Sequence, residues 1–457
     1  MPDEYKELCK AFEDIWVLTQ NTSWKSITPW PPTGMAFGDC LDRGCKILPP
    51  GYKEAYLTPV RANVDSIAEG INGLYNEKLN MRWLEPYARS YVLLHSDSIL
   101  GAATAWSDPR TLFAVQRFEA VVADIFESFI TKAHSPVFSL LNRTIKRPPL
   151  VTFAPEPSFG PATLNADKLR GLCGPGVSST QLDISVVSQP AGYADFPMLW
   201  GVLAHESGGH AVTHAVPGLC DELKRVVVAV PGLSEQGKEF WADWAEEAIA
   251  DVYGLLNVGP SFALSLAAWL TMAKQEKTIG CTIVIWQGIL VDPHAPDILR
   301  LYIARGVVEA LTALYARKAA WLSAIDRAIA SANTPDILID RGDPSHPATW
   351  PLAEAGRDAV AIGAALVTAK LKSLGDHSIQ EIETWSDDDE KVALNVKAAA
   401  QKGRVLTDFD TNDAHLIAGA TMALSEDASL YAMLNRRLGE AFHHSYLTDT
   451  VFNGWEP

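Results

Sequence analysis

The chain has 457 residues, of which 48% are apolar and 20% charged, a composition typical of a globular protein with one or two hydrophobic cores. Its formal net charge of -17 disfavours nucleic acid and anionic membranes as partners, because an acidic surface repels both. The six cysteines are scattered, and the amino terminus lacks a basic stretch followed by an apolar one, so we expect a cytoplasmic protein with reduced thiols.

Residues 1–145 are predicted to form a mostly helical N-terminal region. Between residues 58 and 132, apolar side chains recur at spacings of three and four, which is typical of amphipathic helices. Residues 21–52 are rich in Trp, Pro, Gly and Cys, and this composition indicates an irregular segment. The sequence therefore predicts helices from residue 58 onward, preceded by an irregular lead-in.

Residues 146–260 combine strand and helix patterns and are predicted to form a separate core. A β-branched run closed by prolines, at 148–155, predicts one strand. At 179–188 apolar residues alternate with polar ones, which predicts a second strand with one exposed face. Such a strand is either an edge that pairs with an extended peptide or an ordinary member of a sheet, and the pattern does not distinguish the two.

Two helices are expected to follow these strands. Asp195 and Pro197 occupy the positions of a capping residue and a first-turn proline, so the first helix should begin there. The second helix should begin after Ser234, another capping residue, and end near Gly259-Pro260.

Residues 261–457 are predicted to form a helical C-terminal region that closes a cleft over the core. Two apolar stretches, 259–273 and 279–291, are too short to span a bilayer and are expected to be core elements. The predicted helices of this region are 261–274, 297–331, 352–374, 390–401 and 413–440. The fold class that follows is α+β, mostly helical, with a small sheet and one helical layer.

The run LAHESGGHAVTH, which begins at Leu203, carries the strongest chemical signal. It places three of the eleven histidines within ten residues, beside Glu206. A hydrolytic zinc site needs two neutral imidazoles, one further ligand, an open position and a nearby carboxylate that accepts a proton. We therefore predict that His205 and His210 bind Zn²⁺ and that Glu206 is the general base.

The spacing of the two histidines is unusual, because His205 and His210 lie five residues apart and not four. On a regular α-helix, five residues turn by about 500°, which leaves the two rings roughly 140° apart and unable to share one ion. A π-type widening of the helix closes this gap. Gly208 and Gly209 lie between the ligands, and we expect them to supply the backbone freedom for it.

The second helix carries three acidic residues that suit the same site: Glu246, Glu247 and Asp251. Glu247 and Asp251 lie four apart and share a face. We predict that Glu247 is the third metal ligand and that Asp251 accepts the free ring N–H of a ligand histidine. Glu246 in place of Glu247 remains an alternative ligand.

These motifs resemble those of zincin metallopeptidases of the gluzincin type. HESGGH is similar to the HExxGH motif of dipeptidyl peptidase III, and EEAIAD resembles the glutamate motif of that family. The resemblance covers about thirty residues and implies a zincin-like catalytic core, a small sheet plus an active-site helix, within 146–260. It also implies His205, His210 and Glu247 as zinc ligands, Glu206 as base, and Glu246 and Asp251 as carboxylates behind the ligands.

The segment DPHAPDILR, from Asp292 to Arg300, resembles the HPxxxxR-type motif of other gluzincins. We therefore predict that His294 and Arg300 lie near the metal, where they would polarise the scissile carbonyl or bind a substrate carboxylate. The alternative interpretation is a capped helix start in which the arginine forms an ordinary salt bridge.

The expected function is a zinc-dependent metallopeptidase acting on a peptide or a small amide, in which Glu206 takes the proton of a zinc-activated water and returns it to the leaving amine. One alternative is a non-peptidase metalloenzyme, either a zinc hydrolase or lyase or a non-haem iron oxygenase. In that case His210 and His214, four apart, could bind iron with Glu206. The other alternative is a decayed zincin that acts as a binding protein. The sequence leaves the oligomeric state open.

Overall fold

A computed structural model describes residues 3–20, 109–130, 148–154, 160–164, 185–287 and 289–448. In this part of the chain the protein is mostly helical and has two small mixed sheets, which confirms the predicted α+β, mostly helical class. Most of the helices predicted at 58–132 and the irregular segment at 21–52 lie outside the described residues, but Pro109–Ile130 is helical as expected.

The helices follow one another through the described chain as α1 (Glu4–Gln20), α2 (Pro109–Ile130), α3 (Val212–Ala215), α4 (Leu219–Val228), α5 (Glu235–Val258), α6 (Ser261–Ala273), α7 (Asp297–Ala310), α8 (Lys318–Ser331), α9 (Leu352–Thr368), α10 (Ile379–Ile382), α11 (Asp387–Gln401), α12 (Asp413–Leu424) and α13 (Tyr431–Thr448). Short 3-10 helices lie at Ala191–Tyr193, Pro197–Val202, Lys372–Leu374 and Ala428–Leu430, and a π-helix lies at Ala204–Ala211.

The chain divides into two compact units. The first comprises Met1–Asn21, Asp124–Arg143 and Asp195–Ala441, and the second comprises Thr22–Ala123, Thr144–Ala194 and Phe442–Pro457. All the residues predicted to carry chemistry belong to the first unit.

The second unit contains a three-stranded sheet formed by β1 (Leu150–Ala154), β2 (Ala162–Leu164) and β3 (Val186–Pro190). β3 lies in the middle, parallel to β1 and antiparallel to β2. The strand predicted at 148–155 is confirmed, and so is the described end of the strand predicted at 179–188. The predicted exposed face is wrong for that end, because Val186 and Val187 are both buried and β3 is flanked on both sides.

The first unit contains a four-stranded sheet that the sequence patterns did not predict. Its strands are β4 (Thr282–Trp286), β5 (Ile289–Leu290), β6 (Asp336–Asp340) and β7 (Ala348–Pro351), in the order β5-β4-β6-β7. The apolar stretch 279–291, expected to be a core element, forms the β4–β5 hairpin, and only one of its faces is buried. Trp286 and Ile289 are 62% and 71% exposed.

The helix predicted to start at Asp195 begins differently. Phe196 is the N-cap of a 3-10 helix whose first residue is Pro197, and the side chain that accepts from Met198 N is that of Asn435, at 3.0 Å. The chain then widens directly into the π-helix at Ala204. Pro197 therefore occupies the expected first-turn position, but the capping role predicted for Asp195 is wrong.

The second predicted helix, α5, has the expected ends. Ser234 is its N-cap and accepts a hydrogen bond from Gly237 N, while its own hydroxyl donates to the buried Asp358 carboxylate at 2.5 Å. Gly259, with a positive φ of 72°, follows its last residue. Every residue from Ala248 to Val258 is buried, so α5 lies at the centre of the first unit.

The C-terminal helices are shorter and more numerous than predicted. The helix expected at 261–274 is confirmed as α6, which is buried from Ser261 to Met272 because it is apolar on all sides. The single helix expected at 297–331 is wrong, since α7 and α8 are separate. The helix predicted at 390–401 is confirmed as α11. The helix predicted at 413–440 is divided between α12 and α13. The helix predicted at 352–374 is α9, which ends earlier, at Thr368. None of the described helices is long and apolar enough to cross a membrane.

Candidate metal centre

The widened helical turn predicted between His205 and His210 is present. Residues Ala204–Ala211 form a π-helix of eight residues, which is longer than the single bulge we expected. A π-helix pairs residue i with residue i+5, so residues five apart lie about one turn apart on the same side. The rings of His205 and His210 accordingly have their centroids 4.9 Å apart, in an edge-to-face arrangement.

Gly208 and Gly209 serve a different purpose from the one predicted. Neither has a positive φ, so unusual backbone angles do not explain the pair. Instead, a Cβ added at Gly209 would lie 2.5 Å from Cα of Ala250 and 2.6 Å from its Cβ. The π-helix and α5 therefore touch at main-chain distance at Gly209, and this contact sets how far apart the two ligand-bearing helices lie.

Substituting Gly209 by alanine is expected to destabilise the protein by about 1–3 kcal/mol, because overpacking must push two backbones apart. Zinc affinity should fall with it. Gly208→Ala is the matched control, because its added methyl would meet side chains, Asn257 Nδ2 at 2.8 Å and Ile125 Cγ2 at 3.1 Å. Denaturant unfolding and zinc titration measure both effects. Equal or greater losses in Gly208→Ala would contradict this account of the helix contact.

Three imidazole nitrogens converge on one carboxylate oxygen at the centre of the site. Glu247 Oε2 lies 3.1 Å from His205 Nε2, 3.2 Å from His210 Nε2 and 3.1 Å from His294 Nε2. A carboxylate oxygen has two lone pairs and cannot accept three good hydrogen bonds at once. Ligand atoms of a tetrahedral zinc ion with bonds of 2.0–2.1 Å are separated by about 3.3 Å, so these distances fit a ligand set.

The structure thus contains a His/Glu group that could hold a metal ion. The potential ligand atoms of His205, Glu247 and His294 all lie within 4.8 Å of one another. His210 falls outside that mutual set, although its Nε2 approaches the same Glu247 oxygen as closely as the others. His210 thus contacts the same carboxylate oxygen as His205 and His294 do.

A carboxylate lies behind each of the three histidines. His205 Nδ1 donates to Asp251 Oδ1 at 2.8 Å, and His294 Nδ1 donates to Asp292 Oδ1 at 2.7 Å. Glu246 Oε1 lies 3.6 Å from His210 Nδ1. The two hydrogen bonds fix the tautomer of His205 and His294 that presents Nε2 to a metal and hold those rings in place, whereas Glu246 lies at ion-pair distance from His210.

Arg300 differs from the role predicted for it. Its guanidinium is buried and donates two hydrogen bonds to the carboxylate of Asp251, from Nε to Oδ2 at 2.7 Å and from Nη2 to Oδ1 at 2.6 Å. Burial alone would raise the pKa of Asp251, but the charge and hydrogen bonds of Arg300 lower it to about 2. Arg300 therefore holds Asp251, which in turn holds His205, and the alternative interpretation of a salt-bridged arginine describes its contacts better.

His294 lies on the open side of the site. Its side chain is 35% exposed, whereas His205 is 3% and Glu247 17% exposed. Glu206 lies in the π-helix between the two histidines and is buried. A ligand would therefore reach the cluster from the side of His294.

Two site residues were not predicted: Asp292, whose carboxylate lies behind His294, and Cys220. Asp292 lies two residues before His294, a local spacing that could have indicated the pairing. Cys220 Sγ forms a second group of potential ligands with His214 and Glu246. Because His214 Nε2 lies 2.8 Å from Glu246 Oε1, His214 pairs with α5 and does not support the alternative set with Glu206.

Comparison with protein-family models, with curated proteins and with solved structures found no match to this chain.

The carboxylates around His210 and His294 raise the pKa of both imidazoles. Burial alone would lower the pKa of His210, but hydrogen bonds with Glu246 and Glu247 raise it to about 10. The pKa of His294 is raised to about 9, because hydrogen bonds with Asp292 and Glu247 outweigh its burial. The same contacts keep the pKa of Glu247 far below its usual range despite its burial.

Zinc affinity of the metal-free protein is expected to rise with pH until the pKa of about 10 of the ligand His210 is passed. The reason is that a metal binds only the neutral imidazole, so protons must leave before it. Calorimetric titrations in buffers of different ionisation enthalpy should show proton release near neutral pH. Affinity independent of pH would contradict this.

Proposed function

We propose that this chain is a zinc-dependent hydrolase that cleaves peptide bonds, with a zincin-like core in which His205, His210 and Glu247 hold the metal. The observation that carries the proposal is the convergence of imidazole Nε2 atoms on Glu247 Oε2 at 3.1–3.2 Å, with a carboxylate behind each ring. A zinc ion placed among these atoms would account for their convergence, because zinc sites gather imidazole nitrogens and a carboxylate oxygen around one point, with hydrogen-bond acceptors behind the rings.

Bound zinc would supply a Lewis acid that polarises a carbonyl and lowers the pKa of water to about 7. Glu206 would act as the general base, because it directly follows a ligand and is buried in the same π-helix. It would accept a proton from water and deliver it to the leaving nitrogen. His294, on the exposed side, would donate a hydrogen bond to the carbonyl oxygen as negative charge develops there.

Arg300 and Asp251 would act as positioning residues and not as catalytic ones. Both are 6% exposed, and they lie behind His205. Their ion pair supports the orientation of the His205 ring, because Arg300 holds the carboxylate of Asp251 that accepts from His205 Nδ1. The resemblance to gluzincin motifs supports an amide substrate, since those enzymes cleave peptides.

A second candidate function is a closed structural zinc site. It is favoured by one observation: His294 approaches Glu247 Oε2 as closely as His205 does, and Asp292 orients it as a ligand would be oriented. Four protein ligands would leave no open position for a substrate. His294→Gln distinguishes the two, because a hydrolase should keep its zinc and lose turnover, whereas a structural site should lose zinc and stability.

The test of the proposed function is metal analysis of the purified protein together with hydrolysis of a mixed peptide library. We expect about one zinc per chain at this site, peptide cleavage that a chelator abolishes, and recovery on adding Zn²⁺. His205→Asn should lose both metal and cleavage. Stoichiometric iron in place of zinc, or a zinc-loaded protein that cleaves no peptide, would contradict the proposal.

A further inference from the structure

A second group of potential metal ligands lies one helical turn beyond the first. His214 in α3, Cys220 in α4 and Glu246 in α5 each offer a ligand atom, and these atoms all lie within 4.8 Å of one another. His214 Nε2 is 2.8 Å from Glu246 Oε1. Cys220 is 8% exposed, and the side chains of His214 and Glu246 are 12% and 23% exposed.

We propose that His214, Cys220 and Glu246 form a second metal site that binds a thiophilic divalent cation, Zn²⁺ in the first instance. The ligand set provides one nitrogen, one sulfur and one oxygen, all of which zinc accepts in tetrahedral geometry, and leaves a fourth position for water. The site is distinct from the cluster around Glu247 and does not depend on the proposed function.

The surroundings of Cys220 are unlike those of an inert buried thiol. A buried cysteine usually packs as a small apolar side chain, whereas Cys220 lies among an imidazole, a carboxylate and the ammonium of Lys224. The His214 side chain forms hydrogen bonds with both Cys220 and Glu246. Residues of three helices thus surround the Cys220 sulfur with polar groups, which the apolar packing of a buried cysteine would not require.

Lys224 prepares Glu246 to bind through one oxygen. Its Nζ donates to Glu246 Oε2 at 2.8 Å, while Oε1 faces His214. A cation at the site would replace the hydrogen bond between Oε1 and His214 and leave the contact with Lys224 intact. On binding, the thiol proton of Cys220 and any proton on His214 pass to solvent, since both ligands coordinate in their deprotonated forms. The thiolate and the carboxylate then balance the charge of the cation.

Glu246 also links this site to the first one. The oxygen that would ligate the cation, Oε1, lies 3.6 Å from His210 Nδ1. A cation there would fix the carboxylate that stands behind His210, and the two sites would share one supporting side chain.

The test is a cobalt titration of the metal-free full-length protein, because Co²⁺ bound to a thiolate gives a charge-transfer absorption that nitrogen and oxygen ligands do not give. We expect wild type to show this band, with one equivalent bound at this site. Cys220→Ser should bind one equivalent fewer than wild type and lack the band, and His214→Asn should weaken the band at the same cobalt concentration. Cys281→Ser is the matched control, because Cys281 Sγ donates to the carbonyl of Ile279 and belongs to neither described group of ligands, so this variant should keep the band and the wild-type stoichiometry.

His205→Asn separates this site from the first, because it should retain the thiolate band even if the cluster around Glu247 binds nothing. Circular dichroism melting of each variant establishes that it is folded before the titration is interpreted. A wild type without the band, a band that persists in Cys220→Ser, or a band lost equally in Cys281→Ser would overturn the second site.

Discussion

Glu206→Gln is expected to retain its metal and to hydrolyse peptides about 10²- to 10⁴-fold more slowly, the range typical of removing a general base. Glutamine has nearly the shape of glutamate, so the π-helix and the ligands His205 and His210 should be undisturbed. The amide cannot accept a proton from water, however, so turnover should fall. Metal content and kcat/KM, measured on the same preparations, separate binding from turnover.

A matched control for this variant is Glu239→Gln. Glu239 lies at the exposed start of α5, paired with Arg341 at 2.8 Å and 46% exposed, so its substitution should change neither zinc content nor rate. Full activity in Glu206→Gln would remove Glu206 from the mechanism. Loss of zinc from that variant would instead make Glu206 a ligand.

Replacing Arg300 by methionine is expected to destabilise the metal-free protein by about 3–5 kcal/mol. The reason is that Asp251 would remain as a buried carboxylate without its main counter-charge, both groups being 6% exposed. Arg305→Met, one to two turns further along α7, is the control. Arg305 also pairs with a carboxylate, Asp326 at 2.8 Å, but that partner is 52% exposed, so the loss should stay below about 1 kcal/mol.

The double variant Asp251→Leu/Arg300→Met separates stability from positioning. Replacing both charges by apolar groups should restore most of the free energy of unfolding, because no unpaired charge is left. Zinc affinity should stay about 10- to 100-fold lower, since His205 Nδ1 would still lack its acceptor. Denaturant unfolding and competitive zinc titration give the two numbers. If zinc affinity recovered together with stability, Asp251 would have no part in orienting His205.

The residues of the site were predictable where the chemistry is local. His205, Glu206 and His210 lie within six residues, and the five-residue spacing itself required a π-type turn. Asp251 was found because it lies one helical turn after Glu247. The motif resemblance predicted that Arg300 lies near the site. Its partner Asp251 was not predictable, because tertiary packing decides which carboxylate a buried arginine contacts.

The four-stranded sheet could not be predicted for a related reason. Its central pair, β4 and β6, is parallel and joins residues more than fifty positions apart. No turn sequence next to either strand can therefore indicate the pairing. The segment TIVIW contains four apolar residues in five, but buried and exposed positions alternate along it. The sequence does not reveal this alternation, because the exposed positions include the apolar residues Val284 and Trp286. Cys220 went unnoticed because no spacing connects it to His214 and Glu246.

The main-chain contact between Gly209 and Ala250 has a thermodynamic consequence for the ion itself. Because the two helices abut without intervening side chains, folding alone orders the donors, and the conformational entropy of assembling them is lost before a cation arrives. The centre is then preorganised, unlike a zinc finger that folds around its ion. The selectivity of the site among divalent metals should therefore depend more on the fixed spacing of its ligand atoms than on the intrinsic order of affinities of the ions.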